Sequence, residues 1–90
     1  MNRIIITVVG KDTVGIIASV CTYLADKQVN ILDISQTILQ GIFTMTMLVD
    51  MSASDADFQT VQSELNDLAE ELGVQITLQR EEVFKFMYRL

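Results

Sequence analysis

Histidine, proline and tryptophan are absent from this chain of 90 residues, and cysteine occurs once, at Cys21. Without histidine the chain lacks the usual general base near neutral pH and the usual neutral metal ligand. A lone cysteine cannot close an internal disulfide. Its place on the apolar side of a helical pattern suits a small packed thiol rather than a reactive one. With no proline, no proline-rich linker or proline kink interrupts the chain. Cations are scarce as well. Six Lys and Arg face twelve Asp and Glu, a formal net charge of −6, and no basic cluster offsets it. A phosphate backbone or an anionic membrane surface would be repelled, so neither a nucleic-acid nor a membrane partner is expected. No apolar run reaches 18 residues, and the N-terminal run is too short for a signal sequence and lacks a cleavage pattern, which predicts a cytoplasmic protein.

Half of the residues are apolar, a folded composition for one domain spanning residues 1–90. That share is high for so small a domain, so part of the apolar surface is expected to be covered by a partner, most simply a second copy.

Arg3 to Val9 reads as a central strand, apolar on both faces (Ile4, Ile6, Val8; Ile5, Val9). Val14 to Lys27 reads as an amphipathic helix, with Ile16, Ile17, Val20, Cys21 and Leu24 on one side. Val29 to Gln40 alternates as a strand, but Ile31-Leu32 breaks the period and places a bulge near Asp33. The polar run Ser35, Gln36, Thr37 suits an edge. Gln40-Gly41 turns the chain into Ile42 to Met51, with Phe43, Met45, Met47, Val49 and Met51 on one face. At that spacing the methionines read as core packing rather than soft-metal ligands. Ser54 is the expected helix N-cap, with Asp57 in the position of a capping-box acid. Phe58, Val61, Leu65, Leu68 and Leu72 then form an apolar stripe that Gly73 terminates. Val74 to Gln79 alternates as a last strand. The tail from Glu81 carries Val83, Phe84, Phe86, Met87, Tyr88 and Leu90, too apolar to extend into water, and predicts a short helix docked on the body or on a partner protein.

The element order is βαββαβ, and two right-handed crossovers arrange it as an α+β, ferredoxin-like sandwich. Residues 1–80 form the core, a four-stranded antiparallel sheet of order 4-1-3-2 with two helices on one face, and residues 81–90 form the tail. The stretch from Val9 to Ile16 swings the chain from strand into helix. Its residues leave two readings open. Asp12 or Thr13 caps the helix while Gly15 permits close packing on the sheet, or the free amides of the first turn receive a carboxylate. No acid–base pair, nucleophile with a partner, or metal-ligand cluster emerges, so neither an enzyme nor a cofactor is expected.

Thr7-Val8-Val9-Gly10-Lys11-Asp12-Thr13-Val14-Gly15-Ile16-Ile17, followed by Val29-Asn30-Ile31-Leu32-Asp33-Ile34, resembles the ACT domain. Ser35-Gln36-Thr37, Phe43-Thr44-Met45 and the tail through Phe84 and Met87-Tyr88 are similar to its single-domain subgroup, related to the ACT modules of the glycine-cleavage-system repressor. The resemblance implies a regulatory homodimer that senses a small molecule, most commonly an amino acid, and acts in trans. It further implies a pocket walled by Asp12, Val14, Gly15 and Ile16 of one subunit and by Asn30 and Ile31 of its neighbour, with Leu32 and Asp33 nearby. The alternative is a protein–protein interaction module that grips its partner through the apolar tail and leaves the pocket empty.

Overall fold

The computed structural model describes residues 2–11 and 15–83. The elements are β1 (Arg3–Lys11), α1 (Ile16–Asp26), β2 (Asn30–Leu39), β3 (Ile42–Asp50), α2 (Phe58–Leu72) and β4 (Val74–Arg80). They build one antiparallel sheet in the order β2-β3-β1-β4, the predicted arrangement read from its other edge. β1 and β3 lie at its centre, each paired on both sides, whereas β4, with its buried row Val74, Ile76 and Leu78, and β2 form the edges. Ile4, Ile6 and Val8 of β1 and Phe43, Met45, Met47 and Val49 of β3 are buried beneath the helices. Val20 and Leu24 of α1 and Val61, Leu65 and Ala69 of α2 close the core from above. Met45, Met47 and Met51 are core residues, as their spacing predicts. Cys21 is only half-buried, packed at the core margin rather than inside it.

One helix start differs from expectation. Asp57, not Ser54, caps α2: its carboxylate accepts the Thr60 amide at 2.8 Å. Ser54 is occupied elsewhere, its amide donating to the Met51 carbonyl and its hydroxyl accepting from Ala56. The chain needs that turn to climb from the sheet to the helix layer, so the second of two overlapping cap signals prevails. The α1 helix begins at Ile16 with Gly15 as its N-cap and, among the described residues, no side-chain cap hydrogen bond; the expected caps Asp12 and Thr13 lie outside the described residues. The bulge falls where the broken alternation places it. Ile31 stands opposite Val49 and Asp33 opposite Leu48, leaving Leu32 as the extra residue.

The helices leave the other face of the sheet open. Register puts Arg3, Ile5, Thr7 and Val9 of β1 there, beside Thr44, Thr46, Leu48 and Asp50 of β3. β2 is an edge strand that the helices barely reach. Every residue from Leu32 to Leu39 is exposed, including Ile34 at 43% and Ile38 at 57%. The predicted tail residues Phe84, Phe86, Met87, Tyr88 and Leu90 lie outside the described residues, and Val83, the last described, is exposed.

Candidate functional site

Asp12 and Val14, two of the predicted site residues, lie outside the described residues. Gly15 and Ile16 stand at the N-terminus of α1. Gly15 adopts φ 92° and ψ −1°, a left-handed conformation that disfavours residues with a Cβ. Among the described residues close packing does not explain this glycine, since a Cβ placed on it would meet none of their heavy atoms within 4 Å. Among the described residues the space beside the start of the helix is open. Ser19 donates the first intrahelical bond, to the Gly15 carbonyl at 2.9 Å. Among the described residues the amides of Ile16, Ile17 and Ala18 have no intrahelical acceptor, and the positive end of the helix dipole lies with them. A helix start of this kind can in general receive an anionic group.

The second predicted wall is elsewhere. Asn30 is exposed opposite Asp50, itself opposite Arg3, whereas β1 reaches the α1 end of the sheet at Lys11, opposite Ile42. Eight residues of strand, about 27 Å, separate the two ends. Ile31 is half-buried on the helix side, Leu32 projects from the bulge, and the Asp33 carboxylate accepts its neighbour's amide, from Ile34, at 2.8 Å. Within one chain, then, Gly15 and Ile16 do not meet Asn30, Ile31, Leu32 or Asp33.

A different polar set does converge, and sequence reading missed it. The Tyr23 hydroxyl of α1 donates to Glu64 Oε1 of α2 at 2.6 Å, and Lys27 Nζ lies 3.2 Å from the same oxygen. Glu64 reads as a solvent-facing residue in the sequence because only the crossing of the two helices brings it to Tyr23. Partial burial, reinforced by the Glu64 carboxylate, pushes the Tyr23 phenol well above its ordinary value of 10.0. The Tyr23 and Lys27 donors hold Glu64 below its ordinary 4.5. These three residues lie beside the α1–α2 crossing, where Tyr23 and Glu64 line a groove of about 560 Å³ that contains none of the predicted site residues.

The shifts set the sign of a pH effect. A phenol with a raised folded pKa contributes stability that is complete below pH 10 and fades as pH climbs toward the folded value. A carboxyl with a lowered folded pKa contributes stability present above pH 4.5 and lost as pH falls through the folded value. Tyr23→Phe is therefore expected to lower the melting temperature by a constant few degrees between pH 6 and 9. The gap from the unsubstituted protein should narrow above pH 10 and below pH 4.5. Thermal melts by circular dichroism across that range check it, and a gap independent of pH would contradict the interhelical link.

Among the described residues no group of three or more acidic or thiol side chains is gathered where it could hold a metal ion. No helix among them is long and apolar enough to cross a membrane.

Comparison with known proteins agrees with this architecture. The family model for the ACT domain matches residues 2–79. A UPF0237 protein of Bifidobacterium longum is 57% identical over the full length of both chains. An ACT domain protein from Streptococcus pneumoniae superposes with a TM-score of 0.82 at 40% identity, over 93% of this chain and 94% of that one. A putative glycine cleavage system transcriptional repressor superposes at 0.75 with 25% identity, over 88% of this chain and 45% of that one. By this family-model match over residues 2–79, with which the βαββαβ element order and the strand order agree, the chain belongs to the ACT domain family.

Proposed function

We propose that this protein is an amino-acid-sensing regulatory module that works as a homodimer and signals in trans. ACT domains are regulatory, ligand-binding modules, often for amino acids. What carries the reading here is the separation of the two candidate walls. Gly15 and Ile16 stand at one end of the sheet and Asn30 to Asp33 at the other, so a pocket using both is incomplete without a second chain.

The edge strand supplies the means of pairing. Exposed edges are normally protected by lysine, proline or a short length. β2 has ten residues, with neither lysine nor proline, and after Asp33 it carries no charge. A two-fold axis through Gln36 aligns two copies of β2 antiparallel and sets Ile34 of each chain against Ile38 of the other. The same operation carries Asn30 and Ile31 of one chain to the end of the sheet where the other chain's α1 begins. The helix amides then face the ligand carboxylate, while the Asn30 side-chain carbonyl accepts from its ammonium group. Asp12 completes the first wall and Leu32 and Asp33 border the second. Binding across the interface favours the paired arrangement over any other, which is how a ligand without chemistry of its own alters an output.

Calorimetric titration of the purified protein with amino acids, glycine and serine first, beside analytical ultracentrifugation, tests the proposal. Saturable binding at one or two sites per dimer supports it. A folded monomer, or a dimer silent to all twenty amino acids, contradicts it.

A further inference from the structure

The groove beside the α1–α2 crossing takes no part in the pocket proposed above, and its lining has two characters. Ala18 and the Tyr23 ring of α1 and Leu68 of α2 give it an apolar floor, with Tyr23 and Leu68 packed against the core. Asp26 of α1 and Asp67 and Glu71 of α2 stand exposed along its rim. Lys27, at one end of the groove, is held by Glu64 at 3.2 Å. No ion pair among the described residues reaches Asp26, Asp67 or Glu71. The imbalance begins in the sequence, since residues 28–79 hold eight Asp and Glu and neither Lys nor Arg. These charges do not serve the helix that carries them. Asp67 and Glu71 lie one turn apart, a like-charge pair that weakens a helix. Glu70 and Glu71 sit in the last turn of α2, where the dipole favours cations and no basic residue stands.

We propose that this groove docks a basic amphipathic helix of another protein, with its apolar stripe on Ala18, Tyr23 and Leu68 and its lysines or arginines on Asp26, Asp67 and Glu71. Charge complementarity selects a cationic guest. A second copy of this chain is the wrong occupant, because it brings a net charge of −6 of its own. The walls select a helical guest. Both are helix, with the backbone bonded internally beyond the first turn of α1, so they offer an extended segment no partners for its amides and carbonyls. A helix arrives with its own hydrogen bonds made. From Ala18 to Asp26 the wall runs about 12 Å, or about two turns of a guest helix. The volume of about 560 Å³ takes a row of apolar side chains rather than a single one. Pairing through β2 uses the sheet edge and leaves this side of the helix layer free. The docking gives signalling in trans a partner of defined chemistry, and for that role it rests on the proposal above.

Fluorescence anisotropy with labelled synthetic peptides and the full chain, with no amino acid added, tests this. The probe is a helix-forming peptide of about 14 residues with leucines along one face and lysines on the others. A second peptide has the same composition in an order that scatters the leucines. In about 0.1 M salt, where distant charges are screened, the amphipathic peptide is expected to bind once per chain. The scattered peptide should bind at least about tenfold more weakly. Asp67→Asn with Glu71→Gln should weaken binding about fivefold, the effect of two exposed charge contacts. Thr22→Arg sets a cation in the groove from an exposed position and should weaken it more than about tenfold. Asp55→Asn with Glu82→Gln removes the same charge from exposed positions away from the groove and should change affinity less than about twofold. Circular dichroism confirms that each variant is folded. No saturable binding, equal binding of the scattered peptide, or equal weakening by the distant pair would each overturn the proposal. Spermine that binds as tightly as the peptide would overturn it too, in favour of a small polycation. Since no amino acid is present, the result stands whether or not the sensing pocket exists, and silence toward amino acids leaves it intact.

Discussion

Replacing Ile34 and Ile38 together by lysine is expected to convert the dimer into a folded monomer and to abolish amino-acid binding. Both residues lie on the edge strand and keep 43% and 57% of their surface exposed, so neither holds the monomer together. In the proposed dimer four isoleucines, Ile34 and Ile38 of each chain, cover one another across the two-fold axis. Burying the remaining half of each side chain contributes about 1 kcal/mol apiece, about 4 kcal/mol for the set, or roughly a thousandfold in dimer affinity. Lysine removes that burial and adds repulsion between like charges, while the monomer gains an ordinary protected edge. Sedimentation velocity and far-ultraviolet circular dichroism on the same sample separate loss of pairing from loss of folding. A dimer that survives both lysines places the interface elsewhere.

Gly10→Ala is expected to be costly although it adds one carbon. Gly10 lies opposite Val74, and a Cβ on it would stand 2.7 Å from Val74 Cγ1, 3.0 Å from its Cβ and 3.1 Å from its Cα. A rotamer change swings Cγ1 aside, but the Val74 backbone stays too close unless the start of β4 moves away from β1. Overpacking of this kind costs about 1–3 kcal/mol. Val74 is itself buried, so the strand cannot shift without loosening the core beside α2. Chemical denaturation should show the midpoint falling for Gly10→Ala. With Val74→Ala added, the double variant should lose less than the sum of the two single losses, by about 1 kcal/mol. Strict additivity would mean that the two residues do not press on each other.

Periodicity made most of the fold legible. Strand order followed from the apolar rows of β1 and β3, and the bulge from the single break at Ile31-Leu32. What the sequence left undecided was competition between local signals of equal quality. Ser54 and Asp57 both satisfy the chemistry of an N-cap, and only the climb from Met51 to the helix layer selects the second. Gly15 was visible as an important residue for an incomplete reason: its conformation, not its packing, calls for glycine. The Tyr23–Glu64 pair spans 41 positions, and no local pattern encodes which exposed glutamate a tyrosine on another helix will meet. For the candidate pocket, sequence named two walls, and the register then separated them by the length of the sheet. Composition led to the expectation of a second copy, and the proposal places it on the exposed edge of β2.

The claim that the pocket is shared between chains is tested most directly by complementation. Gly15→Leu puts a side chain into the open space beside α1, at a strain cost of about 1–2 kcal/mol from the left-handed backbone. Asn30→Ala removes the opposite wall and leaves an exposed position otherwise undisturbed. Each homodimer should fail to bind the amino acid that the unsubstituted protein takes up. In a mixed dimer, one pocket combines both altered walls and the other combines both intact ones. Calorimetry on the exchanged mixture, with the mixed species quantified by native mass spectrometry, should recover one unaltered site per mixed dimer. No recovery, with mixed dimers demonstrably present, would contradict a pocket built from two chains.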